Sequence, residues 1–302
     1  VLRDGRPVWG GIIWNRQYTG STRTLSVVAN TFESYLGAIL NPTTLKFLND
    51  DQLDIARWLL ETSGANAEIL ATVSGATSGK LRERQFYGWE RKTVLDEMTK
   101  LGDLIDGFDW NVVISRHPQS QEIARTFEFF YPKRGVTAES SGLLFEYPGS
   151  IRDFTLSEDA QAGANVIYAI GAGEGAAQLV ATSTVADQVS AGYPKIELTR
   201  SYSSVILQET LQEHADADRD RLAAPVTIFE VTVDARTEPV LGSYEVGDWA
   251  RFRIEDEYVT PALDQYARIT AITVSVDDSS GLENVTITLG GDEVTSDEDE
   301  DA

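Results

Sequence analysis

The stretches YEVGDWARFRI (244–254), YARITAITVSVDD (266–278) and ENVTITLGG (283–291) alternate apolar and polar residues almost without a break. A period of two is the pattern of a β-strand that has one face on a core and the other in water. The stretch VTIFEVTVD (226–234) has the same pattern, and we expect 277–281 to form a hairpin loop. Four such strands in close succession are typical of a small antiparallel β-barrel.

A second group of strands is predicted at the start of the sequence. Residues 6–14 follow a turn at Asp4 and Gly5, and residues 21–29 follow a turn at 18–20. Both segments are rich in β-branched and aromatic residues, which favour strands. We therefore expect an antiparallel hairpin in this region.

Helical periodicity separates the two strand-rich regions. Helices are predicted at 49–64, 92–105 and 205–225, and further strands at 108–115 and 123–132. The first helix has a cap at Asn49 or Asp50 and a stop at Gly64, and Pro225 ends the third. The fold class is therefore expected to be α+β, and mostly β.

The composition excludes several kinds of chemistry. The chain of 302 residues has no cysteine and two histidines. Disulfides, thiolate zinc sites and cysteine nucleophiles are therefore excluded, and a histidine-rich metal site is not expected. No apolar run approaches the roughly 18 residues that indicate a transmembrane helix, so none is predicted.

The net charge of −23 is concentrated in the second half of the chain. Residues 1–150 carry 18 acidic and 16 basic side chains, whereas residues 151–302 carry 30 and 9. Seven of these acids lie in 292–302, which we interpret as a solvated acidic tail. The remaining excess repels nucleic acid and anionic membranes, so neither is expected as a bound partner.

The stretch GANVIYAIGAGEGAAQLVA (163–181) has the G-x-G-x-x-A spacing of a dinucleotide-binding turn. A genuine fingerprint continues into a helix, whose N-terminus holds the pyrophosphate. Here Val180, Thr182 and Thr184 alternate instead and favour a strand. The sequence therefore predicts a glycine-rich hairpin turn and no nucleotide cofactor.

Other candidate sites have equally simple interpretations. Asp277, Asp278 and Glu283 lack the spacing of a calcium loop and fit a polar hairpin. His117 and His214 have no recognisable nucleophile or base partner in the sequence. We therefore assign no catalytic, cofactor-binding or metal-binding residue.

Several segments, taken in order, resemble the minor tail proteins of long-tailed phages, specifically the tail-tip (baseplate) hub family. Besides the three stretches quoted first, they are GFDWNVVI (107–114), FEFFYPKRG (127–135), LLFEYPGSIRDFTLSEDAQAGANVIYAIGAGEG (143–175) and GYPKIELTRSYSSV (192–205). Together they cover about residues 100–291. The resemblance implies two small antiparallel β-barrel hub domains with an inserted α/β segment.

The resemblance also implies a structural role and no enzymatic activity. A homotrimer with two barrels per chain gives a ring of six barrels, which can close a sixfold tail tube at the distal end of the virion tail. Expected partners are the distal tail protein, the tape-measure protein and tip or fibre proteins, and DNA passes through without specific binding.

The expected domain boundaries follow from the same resemblance. They are 1–40 for the N-terminal part of the first barrel, 41–130 for the inserted α/β domain, 131–230 for the rest of the first barrel with a connecting β/helix region, 231–291 for the second barrel, and 292–302 for the acidic tail. We expect the first barrel to be incomplete at its N-terminal side.

Part of the acidic excess is predicted to line the central channel of such a trimer. Carboxylates repel DNA and keep a hydrated gap, whereas Lys or Arg would bind phosphates. The candidates are Glu230, Asp234, Glu245 and Asp248, which flank strands of the terminal barrel. The alternative is that these acids only keep the outer surface soluble.

Two other functions remain open from the sequence. A receptor- or carbohydrate-binding tip module would have an exposed cluster of aromatic residues on one face. A cell-wall hydrolase would have two carboxylates facing a cleft.

Overall fold

The computed structural model describes residues 1–117, 121–159, 163–203, 205–223, 226–259, 263–276 and 281–290. The chain divides into two compact units, with the boundary between Pro132 and Lys133. Strands account for 43% of the described residues and helices for 20%, so the expected mostly-β class is confirmed.

The first unit consists of short sheets and three α-helices. Its elements are β1 (Leu2–Arg3), β2 (Arg6–Pro7), β3 (Gly11–Thr19), β4 (Thr24–Thr31), a 3-10 helix (Phe32–Ala38), β5 (Leu45–Asp51), α1 (Gln52–Ser63), α2 (Ala65–Glu68), β6 (Thr72–Val73), β7 (Leu81–Phe86), α3 (Val94–Gly102), β8 (Asp109–Arg116) and β9 (Ile123–Phe130). The described strands pair as β1-β2, β3-β4, β5-β7 and β6-β9-β8.

The predicted helices of the first unit form, with shifted ends. Helix α1 is capped by Asp51, whose Oδ1 accepts a hydrogen bond from the Leu53 amide at 2.8 Å, and not by Asn49 or Asp50. It ends as expected at Gly64, which has a positive φ of 73°. The other predicted helix is shorter than expected because α3 ends at Gly102, three residues before Ile105.

The core of the first unit is formed by α1, α3 and the β8–β9 hairpin. Leu53, Leu60, Met98, Leu101 and Phe127 are fully buried. The predicted strands 108–115 and 123–132 form β8 and β9, which pair from Asp109↔Phe130 to Arg116↔Ile123. The two helices and the hairpin therefore share one core.

The second unit is built around a six-stranded, nearly closed barrel-like sheet. Its elements are β10 (Leu144–Tyr147), β11 (Ile151–Asp159), β12 (Val166–Ile170), a 3-10 helix (Gly175–Ala177), β13 (Val180–Thr184), α4 (Ala186–Ser190), β14 (Glu197–Ser201), α5 (Gln208–Leu222), β15 (Val226–Asp234), β16 (Trp249–Ile254), β17 (Leu263–Val276) and β18 (Glu283–Gly290). The sheet order is β10-β16-β17-β18-β15-β11, and β10 alone pairs in parallel, with β16. The four strands predicted from alternation all lie in this sheet.

Aromatic and branched side chains fill the barrel-like sheet. Phe145 of β10 and Phe252 of β16 stack with ring centroids 5.1 Å apart, and both are fully buried. Val231 and Ile287, paired across β15 and β18, are also fully buried. Strands from the predicted 131–230 and 231–291 domains thus share one core, and the 230/231 boundary falls within β15. The expectation of two barrels remains a prediction.

The glycine-rich stretch forms a turn between two strands, as predicted. Strand β12 pairs antiparallel with β13 and parallel with β14, and α5 packs on this sheet. A Cβ on Gly171 would lie 2.9 Å from the Val205 carbonyl oxygen and 3.0 Å from Leu211 Cδ2. Glycine is therefore needed at this position for packing against the start of α5.

Of the two turns predicted in the N-terminal region, one is confirmed and the other lies further along the chain. The Asp4-Gly5 turn joins β1 and β2 as expected, with φ values of 49° and 77°. The next turn was predicted at 18–20, but Tyr18 and Thr19 still pair with β4, so the turn lies at 20–23. Most of the predicted loop at 277–281, and Pro225, lie outside the described residues.

Candidate channel-facing surface

The outer surface of the barrel-like sheet is determined by strand alternation. Residues opposite each other on paired strands point to the same face, and the core residues of β15 and β18 fix which face is inside. Glu230 pairs with Thr155 on one side and Thr288 on the other, so all three point outward. Thr232 lies in the next outward row, between Asp153 and Thr286.

We call this surface the hydroxyl–carboxylate face. Its residues are Asp153, Thr155, Glu230, Thr232, Asp234, Thr273, Ser275, Asn284, Thr286 and Thr288. Threonine is a strong strand former, so the sequence can present hydroxyls here without weakening the sheet. The strands β15 and β18 contain no Lys or Arg. The face therefore combines hydroxyls and carboxylates, with little positive charge.

Asp234 is anchored at the edge of this face. Its Oδ1 accepts a hydrogen bond from the Arg236 amide at 2.9 Å, and its Oδ2 pairs with the Arg152 guanidinium. The Arg236 amide, and to a smaller extent Arg152, lower the pKa of Asp234 below its ordinary value. Asp234 is therefore ionised at neutral pH, but Arg152 offsets its charge.

The other two predicted acids lie in the turn before β16. Asp248 is only 8% exposed, and its two oxygens accept hydrogen bonds from the amides of Val136 and Glu245, both at 2.8 Å. Glu245 is exposed and accepts a hydrogen bond from Arg134 Nη2 at 2.6 Å. Asp248 thus holds two segments of the unit together, a role that alternation of the sequence did not indicate.

The outward surface of β10, β16 and β17 has a different composition. There Leu144, Arg251 and Tyr266 form one outward row across β10, β16 and β17. Arg251 donates two hydrogen bonds to Asp264, at 2.6 and 2.7 Å, and lowers the pKa of that carboxyl. We call this surface the arginine face. Arginine and aromatic residues are enriched at protein–protein interfaces.

A buried polar cluster lies beneath α5. The rings of Tyr202 and His214 stack with centroids 4.4 Å apart. The Tyr202 hydroxyl donates to Asp218 Oδ2 at 2.7 Å, and Asp218 also pairs with Arg221 at 2.8 Å. His214 and Asp218 are 5% and 3% exposed, so both side chains are enclosed by the protein. The cluster therefore stabilises the packing of the helix.

Three other kinds of feature would bear on function in the described residues: a metal site, a membrane-spanning helix and an aromatic binding surface. Within the described residues, no group of three or more histidines and carboxylates converges to hold a metal ion. None of the helices in the described ranges has both the length and the apolar character needed to cross a membrane. Of the strongly exposed aromatic residues in the described ranges, Trp89, Tyr193 and Tyr258 lie in three separate loops, and Tyr18 lies on β3.

This chain is similar to known proteins in its fold. No family model and no curated protein matches the sequence. A tail protein from Neisseria meningitidis MC58 matches by fold with a TM-score of 0.62 at 14% identity, covering 98% of this chain and 83% of that chain. The 43 kDa tail protein of prophage MuSo2 from Shewanella oneidensis matches with a TM-score of 0.60 at 14% identity, covering 92% and 76%.

A third match is the prophage tail protein gp18 from Listeria monocytogenes EGD-e. Its TM-score is 0.51 at 14% identity, covering 92% of this chain and 76% of that chain. Identities this low relate the folds alone, but each match extends over nearly the whole chain. The resemblance predicted from the sequence is thus confirmed at the level of the fold, and this chain has the fold of phage tail proteins.

Proposed function

We propose that this chain is a structural protein of a phage tail and acts as a homotrimeric hub at the distal tip. The observation that carries the proposal is the fold likeness to phage tail proteins over 98% and 92% of the chain. The proposal includes closure of the tail tube, attachment of tip or fibre proteins, and contact with the distal tail and tape-measure proteins. We propose no enzymatic role.

The hydroxyl–carboxylate face is the proposed wall of the DNA channel. DNA adheres to a surface when Lys or Arg side chains displace its counterions. A face with Glu230 at its centre and hydroxyls on both sides repels phosphates and keeps a hydrated layer. Of the four predicted acids, Glu230 is the exposed one on the middle of a strand, so we assign it the principal role.

The arginine face is the proposed contact with other tail proteins. Its paired charges are already neutralised within the chain, and Leu144 and Tyr266 are 39% and 44% exposed. Arginine together with exposed aromatic and aliphatic side chains is a composition that protein–protein interfaces favour.

The tail role is tested in a phage that encodes this chain. Electron microscopy of particles made without it should reveal absent or unclosed tails, and mass spectrometry of wild-type virions should detect it. Normal, infectious tails made without the chain would contradict the proposal.

The channel assignment has its own test. Glu230→Arg should slow DNA ejection in a salt-dependent way, because a cation at the wall binds phosphate. The matched control is Glu61→Arg, the same charge reversal at an exposed position of α1 in the first unit, which should leave ejection unchanged. Equal ejection rates for the Glu230→Arg and wild-type phages would contradict a channel position for Glu230.

A further inference from the structure

The β3–β4 hairpin of the first unit has an apolar face that nothing in the described chain covers. After a bulge at Trp14, Tyr18 pairs with Leu25 and Arg16 with Val27, so these four side chains share one face with Ile13. Ile13 and Tyr18 are both 64% exposed, Leu25 is 58% exposed and Val27 is 48% exposed.

The opposite face of the hairpin is polar. It carries Asn15, Gln17, Ser26 and the flanking threonines, with Val28 and, at the base of the hairpin, Ile12 as the apolar exceptions. The hairpin is therefore an amphipathic ribbon, and an isolated two-stranded ribbon is marginally stable in water. In the described residues β3 and β4 pair only with each other. A ribbon of this kind requires another surface to cover its apolar side.

The base of the hairpin is fixed, so its direction is defined. The Trp14 indole nitrogen donates to Ser34 Oγ at 2.8 Å, and the Trp14 ring stacks on Tyr35. Ile12 packs against the core of the first unit. The free end is thus presented by a rigid base.

Charge indicates the nature of the covering surface. Residues 11–31 contain Arg16 and Arg23 and no acidic residue. Arg16 lies in the middle of the apolar face, where a covering surface must supply a carboxylate to avoid leaving a buried cation unpaired. The second unit has the acidic excess, so its chemistry is complementary to the hairpin.

One part of the second unit combines exposed apolar residues with acidic charge. Val274 and Val276, at the end of β17, are 42% and 59% exposed although they lie on the core-facing side of the strand. Glu283 of β18 pairs with Val276, and β18 contains no Lys or Arg.

We propose that the apolar face of the β3–β4 hairpin packs on the end of β17 in a second copy of this chain. The contact joins different surfaces of the two copies, so repeated contacts of this kind close into a ring if the rotation is right. This inference rests on the proposed trimeric hub and adds the surfaces that would join its subunits.

The hairpin face is expected to supply only part of the binding free energy between two copies. A nine-residue strand is roughly 30 Å long, and a two-stranded ribbon about 10 Å wide, so one face covers about 300 Å² of the ~800 Å² per partner in a standard interface. Loss of one central side chain should therefore weaken association about tenfold without abolishing it.

The test compares two neighbouring valines on opposite faces of the hairpin. In the full-length chain, Val27→Ser should weaken self-association about tenfold by sedimentation or native mass spectrometry, and Val28→Ser, 54% exposed in the free chain, should not. Arg16→Glu should weaken it as well, and Arg16→Lys should retain it. The circular dichroism spectrum should be unchanged in all four variants, because the side chains are exposed in the single chain.

Photocrosslinking locates the contact. A benzophenone side chain at position 25, in a mixture of isotopically heavy and light chains, should yield heavy–light crosslinks to peptides around Val274 and Val276. Crosslinks within one chain, or to another region, would overturn the proposal, and so would equal association of Val27→Ser and Val28→Ser.

A chain that stays monomeric at tens of micromolar also overturns the proposal. The tail role remains separately testable by the virion experiments above. Failure of the hairpin contact is therefore distinguishable from failure of the proposed function.

Discussion

Asp248 accepts a hydrogen bond from the amide of Val136 at 2.8 Å, although the two residues are 112 positions apart in the chain. Its other oxygen accepts from the Glu245 amide, and the next backbone amide, that of Trp249, donates to the Val136 carbonyl. One buried carboxylate thus fixes the start of β16 to the segment that leads into β10.

Asp248→Ala should destabilise the second unit by about 2–3 kcal/mol, because two buried amides lose their acceptor. Chemical denaturation followed by fluorescence measures the change in the free energy of unfolding. The control is Glu230→Ala, which removes an exposed carboxylate and should change stability by less than about 0.5 kcal/mol. Equal effects of the two substitutions would show that Asp248 has no special structural role.

Gly135→Ala should destabilise the same junction by about 3 kcal/mol or more. Gly135 has a positive φ of 99°, and a Cβ would lie 2.2 Å from the carbonyl carbon of Gly247. Gly142→Ala is the matched control, since a Cβ there meets nothing within 4 Å. Thermal unfolding should separate the two variants clearly, and a wild-type-like Gly135→Ala protein would contradict the geometry of this turn.

Glu97 gives the first unit a pH-dependent stability. Its side chain is buried, and desolvation raises its pKa to about 7 from an ordinary value of 4.5. A raised pKa in the folded state contributes stability that is complete below about pH 4.5 and is lost as the pH rises through about 7.

Glu97→Gln should therefore flatten the pH dependence of stability and gain at most about 3 kcal/mol at pH 8 relative to wild type. Denaturation curves between pH 5 and pH 8 measure this difference. Glu61→Gln, at an exposed position of α1, should keep the wild-type slope. A slope unchanged by Glu97→Gln would place the titration elsewhere.

Two aspartates of α5 should respond very differently to replacement. Asp218 is 3% exposed and accepts from the Tyr202 hydroxyl, whereas the Asp220 side chain is 71% exposed and pairs with its neighbour Arg219. Asp218→Ala should cost about 3 kcal/mol because it leaves Arg221 and the Tyr202 hydroxyl without their acceptor in the interior. Asp220→Ala should cost less than about 1 kcal/mol. Urea denaturation of both variants provides the comparison, and similar midpoints would contradict the burial of this cluster.

The sequence by itself determined the local elements and the strand-rich class. Alternation over 226–290 predicted β15 to β18, and the β-branched residues after Gly175 distinguished a hairpin from a nucleotide-binding turn. These patterns succeed because one strand face is buried and the other is solvated, whatever the partner strand is.

Only the tertiary structure decided which strands share a core. Leu144 pairs with Arg251 in a parallel ladder more than a hundred residues apart, which brings β10 and β16 into one sheet. No local pattern encodes such a partner, because pairing depends on the geometry of the whole chain. The same dependence on distant segments explains why two of the predicted acidic residues have different surroundings. Glu230 and Asp248 look alike in sequence, but alternation on a paired strand turns Glu230 outward, whereas backbone amides from two distant segments enclose Asp248.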